Sequence, residues 1–317
     1  MKRDLIAYGT PFMDNLVHID HLPTKKDEGA RILQTSWQGG GKVSSALTAF
    51  GQLGGASSML GVVGADSYGD FLLRDYARYD VDTSHMVRDG VNSFSLVLSD
   101  EVTHGRNIIG RPGTTRRYAL EDIDEDFVRQ HHVLHLENAD PVSHRLAAIM
   151  RENGGTVCFD GDGYSDATQA MLPEIDVFIG SEFYYNKLFG ESEDYEKNLS
   201  AVRARGPKVV VFTLGDKGSV VAWEDGWSFA PGFKVPVVDT LGAGDVYHGG
   251  YIFAMMQGKR PDECARFANA VAAIKCTGIG GRAGTPNLEM VEQFLETGTF
   301  DRSLIEEKTK LYANFGV

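Results

Sequence analysis

The segment VVDTLGAGDVYHGGYIFAM, residues 237–255, carries the strongest chemical signal in the chain. A strand-like apolar run passes through Gly242-Ala243-Gly244 into an apolar helical run that begins at Asp245. Glycines at such a corner let backbone approach a ligand, and the free amides of a first helical turn point at whatever sits there. With the helix dipole they form an anion seat that needs no lysine. A phosphoryl group in transfer needs that kind of support as charge spreads over its oxygens. Asp245 stands at the same point and can take a proton from an acceptor hydroxyl. The dipole is expected to keep it ionised, a weak base acting late in the transfer. A tight strand-to-helix connection with Asp in its first turn accounts for the spacing equally well. Two other glycine motifs fail: G-x-G-x-x-G requires Gly where Tyr247 stands, and a Walker A ending at Gly41-Lys42 would need Gly at Ser36 and Ser or Thr at Val43.

The corner has to be held by a sheet. DLIAYG (4–9) and ASSMLGVVG (56–64) are short apolar runs expected to be buried strands. Further strands at 133–137, 156–159, 176–180 and 208–213 alternate with helical segments, which predicts a doubly wound, mainly parallel sheet with helices on both faces. Helices are expected near 41–53, 67–79, 245–257, 261–276 and 287–297. NLVHID (15–20) and ARILQTSW (30–37) read as exposed strands, and 92–100 with 105–110 as a hairpin. These do not fit the alternation. They predict a small β-sheet lid, formed by about 14–37 and 92–110, on a single α/β domain spanning 1–317. Ligands of such sheets gather at the carboxyl ends of the strands.

Composition limits the partners. Of 317 residues, 31 are basic and 44 acidic, a formal net charge of -13 that offers no footprint for nucleic acid or an anionic membrane. An anionic ligand must be held locally against that field. Three cysteines, with no C-x-x-C, suit a reduced compartment. Met-Lys-Arg-Asp followed by a short strand is not a secretion signal, and no apolar run reaches membrane-spanning length. The expectation is a cytoplasmic protein. His132 and His135 would point to opposite faces of a strand, which argues against a metal pair. His248, one helical turn after Asp245, is expected to be a structural neighbour.

DTLGAGD resembles the D-T-x-G-A-G-D signature of the ribokinase-like (PfkB) carbohydrate kinases, and GGGKVSSALTAFGQLGG (39–55) resembles the other signature of that family. The resemblance extends over the chain, through GVVGADSYGDFLL, VVFTLGDKG and FANAVAAIKCTGIGGRAGTP. It implies an ATP-dependent kinase with Mg2+, acting on a primary hydroxyl of a sugar or polyol. Asp245 would be the catalytic base, with Gly242, Ala243 and Gly244 as the oxyanion-type pocket. Asp14, Gly40, Gly41, Lys42, Ser45 and Glu137 would face the acceptor, although Ser45 replaces an Asn common in sugar kinases. Thr213, Gly215, Gly218 and Asn269 would border the nucleotide. Asp239 matches a residue that helps hold a monovalent cation such as K+. The N-x-x-E expected before the middle helix is here Ser181-Glu182-Phe183-Tyr184, so Glu182 would have to organise Mg2+ through water. Residues 233–249 and 275–286 look similar to sulfofructose kinases, and more loosely to ketohexokinases. Glu28 stands where those sulfonate-binding enzymes carry a base, which points to an uncharged ketose or polyol. The exposed lid suggests a homodimer. A nucleoside kinase and a catalytically silent sugar- or nucleotide-binding regulator are the alternatives.

Overall fold

The computed structural model describes residues 4–102 and 106–314. The main sheet has nine strands. In chain order they are β1 (Leu5–Tyr8), β4 (Ser57–Leu60), β6 (Val81–Asp82), β10 (Val133–Leu136), β11 (Thr156–Gly161), β12 (Val177–Gly180), β13 (Val209–Thr213), β14 (Gly218–Trp223) and β15 (Gly226–Pro231). Their spatial order is β15-β14-β13-β12-β11-β10-β1-β4-β6. Pairing is parallel from β6 to β13, and β14 and β15 add antiparallel edges. Chain order runs outward in both directions from the β1–β10 boundary. Such a switch point opens a crevice at the carboxyl ends of the two strands.

Both faces of the sheet are covered, and the strands show why. Leu5 and Ala7 enter one core while Ile6 and Tyr8 enter the other; Val177 and Ile179 alternate in the same way with Phe178. Period-two alternation of apolar side chains is what a sheet buried on both faces needs. The first face packs against α1 (Lys42–Gln52), α2 (Ser67–Ala77), α8 (Ala243–Met256), α9 (Pro261–Lys275) and α11 (Leu288–Thr297). The second packs against α4 (Pro141–Glu152), α5 (Asp166–Met171), α6 (Glu182–Phe189) and α7 (Tyr195–Arg203). Short α3 (Glu125–Val128) and α10 (Gly280–Ala283), and the final α12 (Ser303–Leu311), complete the helices. Among the described residues no helix is long and apolar enough to cross a membrane.

A separate four-stranded sheet contains β2 (Phe12–Ile19), β3 (Ile32–Gly40), β8 (Phe94–Asp100) and β9 (Arg106–Arg111), in the order β3-β2-β8-β9. The hairpin expected from 92–110 is present as β8–β9, with residues 103–105 of that segment outside the described residues. Segment 15–20 is not exposed as expected: Leu16, Val17 and Ile19 are buried, Leu16 in a cluster with Met13, Val97, Phe71, Ile279 and Tyr312. Ile32, Leu33, Ile108 and Ile109 are exposed. The run expected as one strand at 56–64 breaks at Gly61, with φ 152, where a Cβ would lie 2.4 Å from the Gly9 carbonyl oxygen. Past the break, β5 (Val62–Val63) pairs with β7 (Val87–Arg88) instead.

Candidate active site

The 237–245 segment turns as its glycines demand. Gly242 caps α8 with φ 73, the left-handed region where only glycine is unstrained. A Cβ there would also lie 2.9 Å from Cα of Gly281. Gly244 meets nothing within 4 Å, so its lack of a side chain opens space rather than relieving a clash. Among the described residues the amides of Gly244 and Asp245 have no backbone acceptor, while Val246 N already donates to Gly242 O at 3.0 Å. Asp239 fastens the turn from below. Its Oδ1 accepts from Leu241 N and its Oδ2 from Gly280 N, both at 2.8 Å.

Ala243 and Gly244 form one wall of a cavity of about 830 Å³, including its open mouth. Thr213, Gly215, Gly218 and Asn269 line it, with an apolar floor of Phe233, Val235 and Ala272. Gly215 (φ 59) and Gly218 (φ 111) shape the loop after β13. Asn269 is a tie as well as a wall: its Nδ2 donates to Ala230 O at 2.9 Å and fixes α9 to β15. Glu182 stands in the first turn of α6, its Oε2 3.8 Å from where a Cβ on Gly215 would be. Tyr184 and Tyr185 are core residues of the second face, whereas Phe183 is exposed.

Across the crevice, Asp14 of β2 lies opposite Gln38 of β3. A Cβ on Gly40 would come within 2.0 Å of Asp14 Oδ2, so glycine is what leaves room for this carboxylate. Although Asp14 keeps some surface toward the crevice, burial pushes its carboxyl up to about 6, against the opposing Arg282 charge and a hydrogen bond with Ser95. Gly41 (φ 97) caps α1. Lys42 follows, its Nζ 3.0 Å from Asp162 Oδ2. Ser45 is buried, with its Oγ facing Gly281. Glu137 follows β10 and bridges the switch point, accepting from Thr10 N at 2.8 Å and Val43 N at 3.1 Å. Burial raises its carboxyl to about 7. Lys42 and Glu137 also border a second, wider cavity lined by Tyr8, Arg117 and Tyr164.

The helix dipole favours an ionised Asp245, while burial first, then Asp160 and Glu137, push its carboxyl well above the ordinary range. The reason is convergence. Asp160 is itself raised, chiefly by burial, against Lys42 and His135, and Lys42 also opposes the shift of Asp245. Burial works against the Lys42 ammonium, but Asp160, Asp162 and Glu137 hold its pKa above the usual lysine value. Groups coupled this closely share their protons. Asp160 and Asp162 were not singled out from the sequence, although FDGDG at the end of a predicted strand marks the place where such sheets put functional side chains.

Other side chains fall out of the site. Glu28 closes its own turn, accepting from Thr24 N at 2.8 Å and Lys25 N at 3.0 Å. His132 is exposed and lies just before β10, whereas His135 is buried within that strand. His248 stacks on His135 at 5.2 Å, and its Nε2 lies 3.7 Å from Asp160. Arg282, also missed, is fully buried: its Nε donates to Gly39 O at 2.6 Å, its Nη2 to Ser44 Oγ at 2.6 Å, and its Nη1 to Asp75. Gln38 accepts from the Arg282 and Ala283 amides and donates to Ile279 O. The strand beside Asp14 and the 279–283 segment behind Gly242 are thereby one rigid unit. The backbone at Asp239 is also held by Lys275, whose ammonium donates to its carbonyl oxygen at 2.8 Å.

The crystal structure of ribokinase from Thermotoga maritima aligns with a TM-score of 0.80, at 27% identity, over 93% of this chain and 100% of that one. The fold is therefore ribokinase-like, a class of small-molecule phosphotransferases. The chain belongs to the pfkB family of carbohydrate kinases, whose family model matches residues 10–288. Ribokinase of Haemophilus influenzae is 25% identical over 305 residues, 93% of this chain and 99% of that protein. A nucleoside kinase of Methanothermobacter thermautotrophicus is 26% identical over 301 residues, 92% and 96% of the two chains.

Proposed function

We propose that this kinase transfers the γ-phosphoryl of ATP to a primary hydroxyl of a sugar or related polyol, with Asp245 as the general base. The observation that carries the reading is the position of Asp245. It sits in the first turn of α8, directly after the exposed Gly244, which lines the cavity shared with Thr213, Gly215 and Asn269. It also faces the carboxylate cluster that includes Glu137. The acceptor oxygen bonds to the γ-phosphorus as the bond to the β-phosphate oxygen breaks; ADP leaves and the hydroxyl proton passes to Asp245. The Gly244 and Asp245 amides face the equatorial oxygens. Asp14 and Glu137 are placed to orient hydroxyls of the acceptor. Mg2+ entering with the nucleotide would supply positive charge against that developing on the phosphates, and Glu182 is the carboxylate that would order its water. The four-stranded sheet would close over the acceptor and keep out water that would otherwise hydrolyse ATP. Its exposed Ile32, Leu33, Ile108 and Ile109 are the surface for a homodimer.

A nucleoside is the rival acceptor. Trp37, Tyr68 and Phe94 stack on one another with centroids 5.6–6.3 Å apart, at the root of the small sheet near Asp14. A flat base could rest there. A coupled ADP-release screen over ketoses, aldoses, sugar acids and nucleosides decides between them. Turnover with a sugar or polyol above every nucleoside supports the proposal; a nucleoside as best substrate refutes the acceptor class, and no ADP release with any acceptor refutes the kinase reading.

A further inference from the structure

A site that receives a triphosphate should be rich in fixed positive charge, yet the charges acting most on Asp245 are chiefly carboxylates, Asp160, Glu137 and Asp162, with Lys42 opposing them. The missing charge lies beneath the turn. Lys275 is the last residue of α9, where the helix dipole favours a cation, and its side chain is completely buried. Its Nζ donates to the Asp239 carbonyl oxygen at 2.8 Å. The same stretch of backbone is stapled to the helix end twice more, through Val238 N and Asp239 N to Cys276 O at 2.7 and 3.1 Å. The Asp239 carboxylate then holds Leu241 N on the glycine turn and Gly280 N behind it. The ammonium is thus one residue removed, through Asp239, from both walls of the anion seat. In a poorly solvated interior its field reaches further than that of a surface lysine.

We infer that Lys275 is a built-in monovalent cation: a positioning residue whose ammonium orders the 239–245 turn and supplies the positive potential that a bound K+ would otherwise provide, so that this enzyme works without one. A free ion in this place would have to displace the ammonium from Asp239. The inference deepens the proposed kinase site, but part of its test does not depend on activity. An alanine at 275 leaves a cavity under the Asp239 carbonyl that a small cation can enter; a methionine fills the same space with an apolar chain.

The experiment compares wild type, Lys275→Ala and Lys275→Met in buffers whose only monovalent cation is choline, K+ or NH4+, reading both melting temperature and turnover. Wild type should show the same melting temperature and turnover in all three. Lys275→Ala should lose roughly 10²-fold in turnover and melt lower in choline. K+ or NH4+ should restore both in a saturable way, since an ion that binds only the folded state raises its stability. Lys275→Met should show the loss without the rescue. A wild type that needs K+ for turnover, or is stabilised by it, overturns the inference. So does a folded Lys275→Ala whose melting temperature and rate ignore every small cation. Should Lys275→Ala fail to fold, the wild-type comparison decides. If wild type phosphorylates no acceptor, the kinase reading fails, while the melting temperatures still report on the ammonium.

Discussion

Gly242 and Gly244 stand two residues apart and should respond to the same substitution in opposite ways. Alanine at 242 meets two costs. A left-handed φ of 73 costs an L-residue roughly 1–2 kcal/mol. The new Cβ, 2.9 Å from Gly281 Cα, meets backbone that Gln38 and Arg282 hold in place, and overpacking of that kind costs about 1–3 kcal/mol. Together they predict destabilisation of about 2–5 kcal/mol. Gly244→Ala meets neither: its Cβ enters open space within a helix, where the change from glycine stabilises by roughly 0.5–1 kcal/mol. That open space is where the phosphoryl group is proposed to sit, so a methyl there should push it away from the amides. A misplacement of about 1 Å can cost about 10²-fold in rate. Urea unfolding and steady-state kinetics with saturating ATP would separate the two. The expected pattern is lost stability in Gly242→Ala, and intact or higher stability with strongly reduced kcat in Gly244→Ala. A Gly244→Ala enzyme with normal kcat would refute the close approach of phosphate to this turn, and an equally stable Gly242→Ala would refute the strain argument.

Glu137 should leave a mark on the pH dependence of stability. Its carboxyl is raised to about 7 from 4.5, so the folded state holds the proton more tightly; that contribution is complete below about pH 4.5 and is lost as pH rises through 7. The shift caps it on the order of 3 kcal/mol, and Glu137→Gln should show a shallower fall in melting temperature between about pH 5 and 8; an unchanged slope would place the titration elsewhere. Arg282→Met strands Asp75 as a buried charge and should cost about 3–5 kcal/mol in chemical denaturation. A loss below about 1 kcal/mol would show that the pair is not sealed from water.

The motif-bearing corner and the alternating strands could be read directly because their signals are local. A turn that needs glycine, a helix with Asp in its first turn and a run of buried strand residues each lie within ten positions. The antiparallel β14 and β15 were not anticipated, since an apolar run does not tell the direction of its partner. Nor was the break at Gly61, which depends on the approach of Gly9 from far along the chain. The upward push on the Asp245 carboxyl was not legible for the same reason. The helix dipole can be inferred from residues 242–245 alone, whereas the opposing carboxylates come from the ends of β10 and β11 and meet only after the sheet is assembled. Arg282, Asp75 and Tyr312 are likewise far apart in sequence, and periodicity shows that such positions are buried without showing what they touch. Polar residues of the small sheet read as solvated, yet Ser36 and Gln38 are buried.

The base assignment is tested most directly by the turnover of Asp245→Asn, measured beside its affinity for ATP. Loss of a general base predicts a fall of roughly 10²-fold or more with nucleotide binding retained. Turnover within a few-fold of wild type would contradict it, and with it the claim that the first turn of α8 is where the proton is taken.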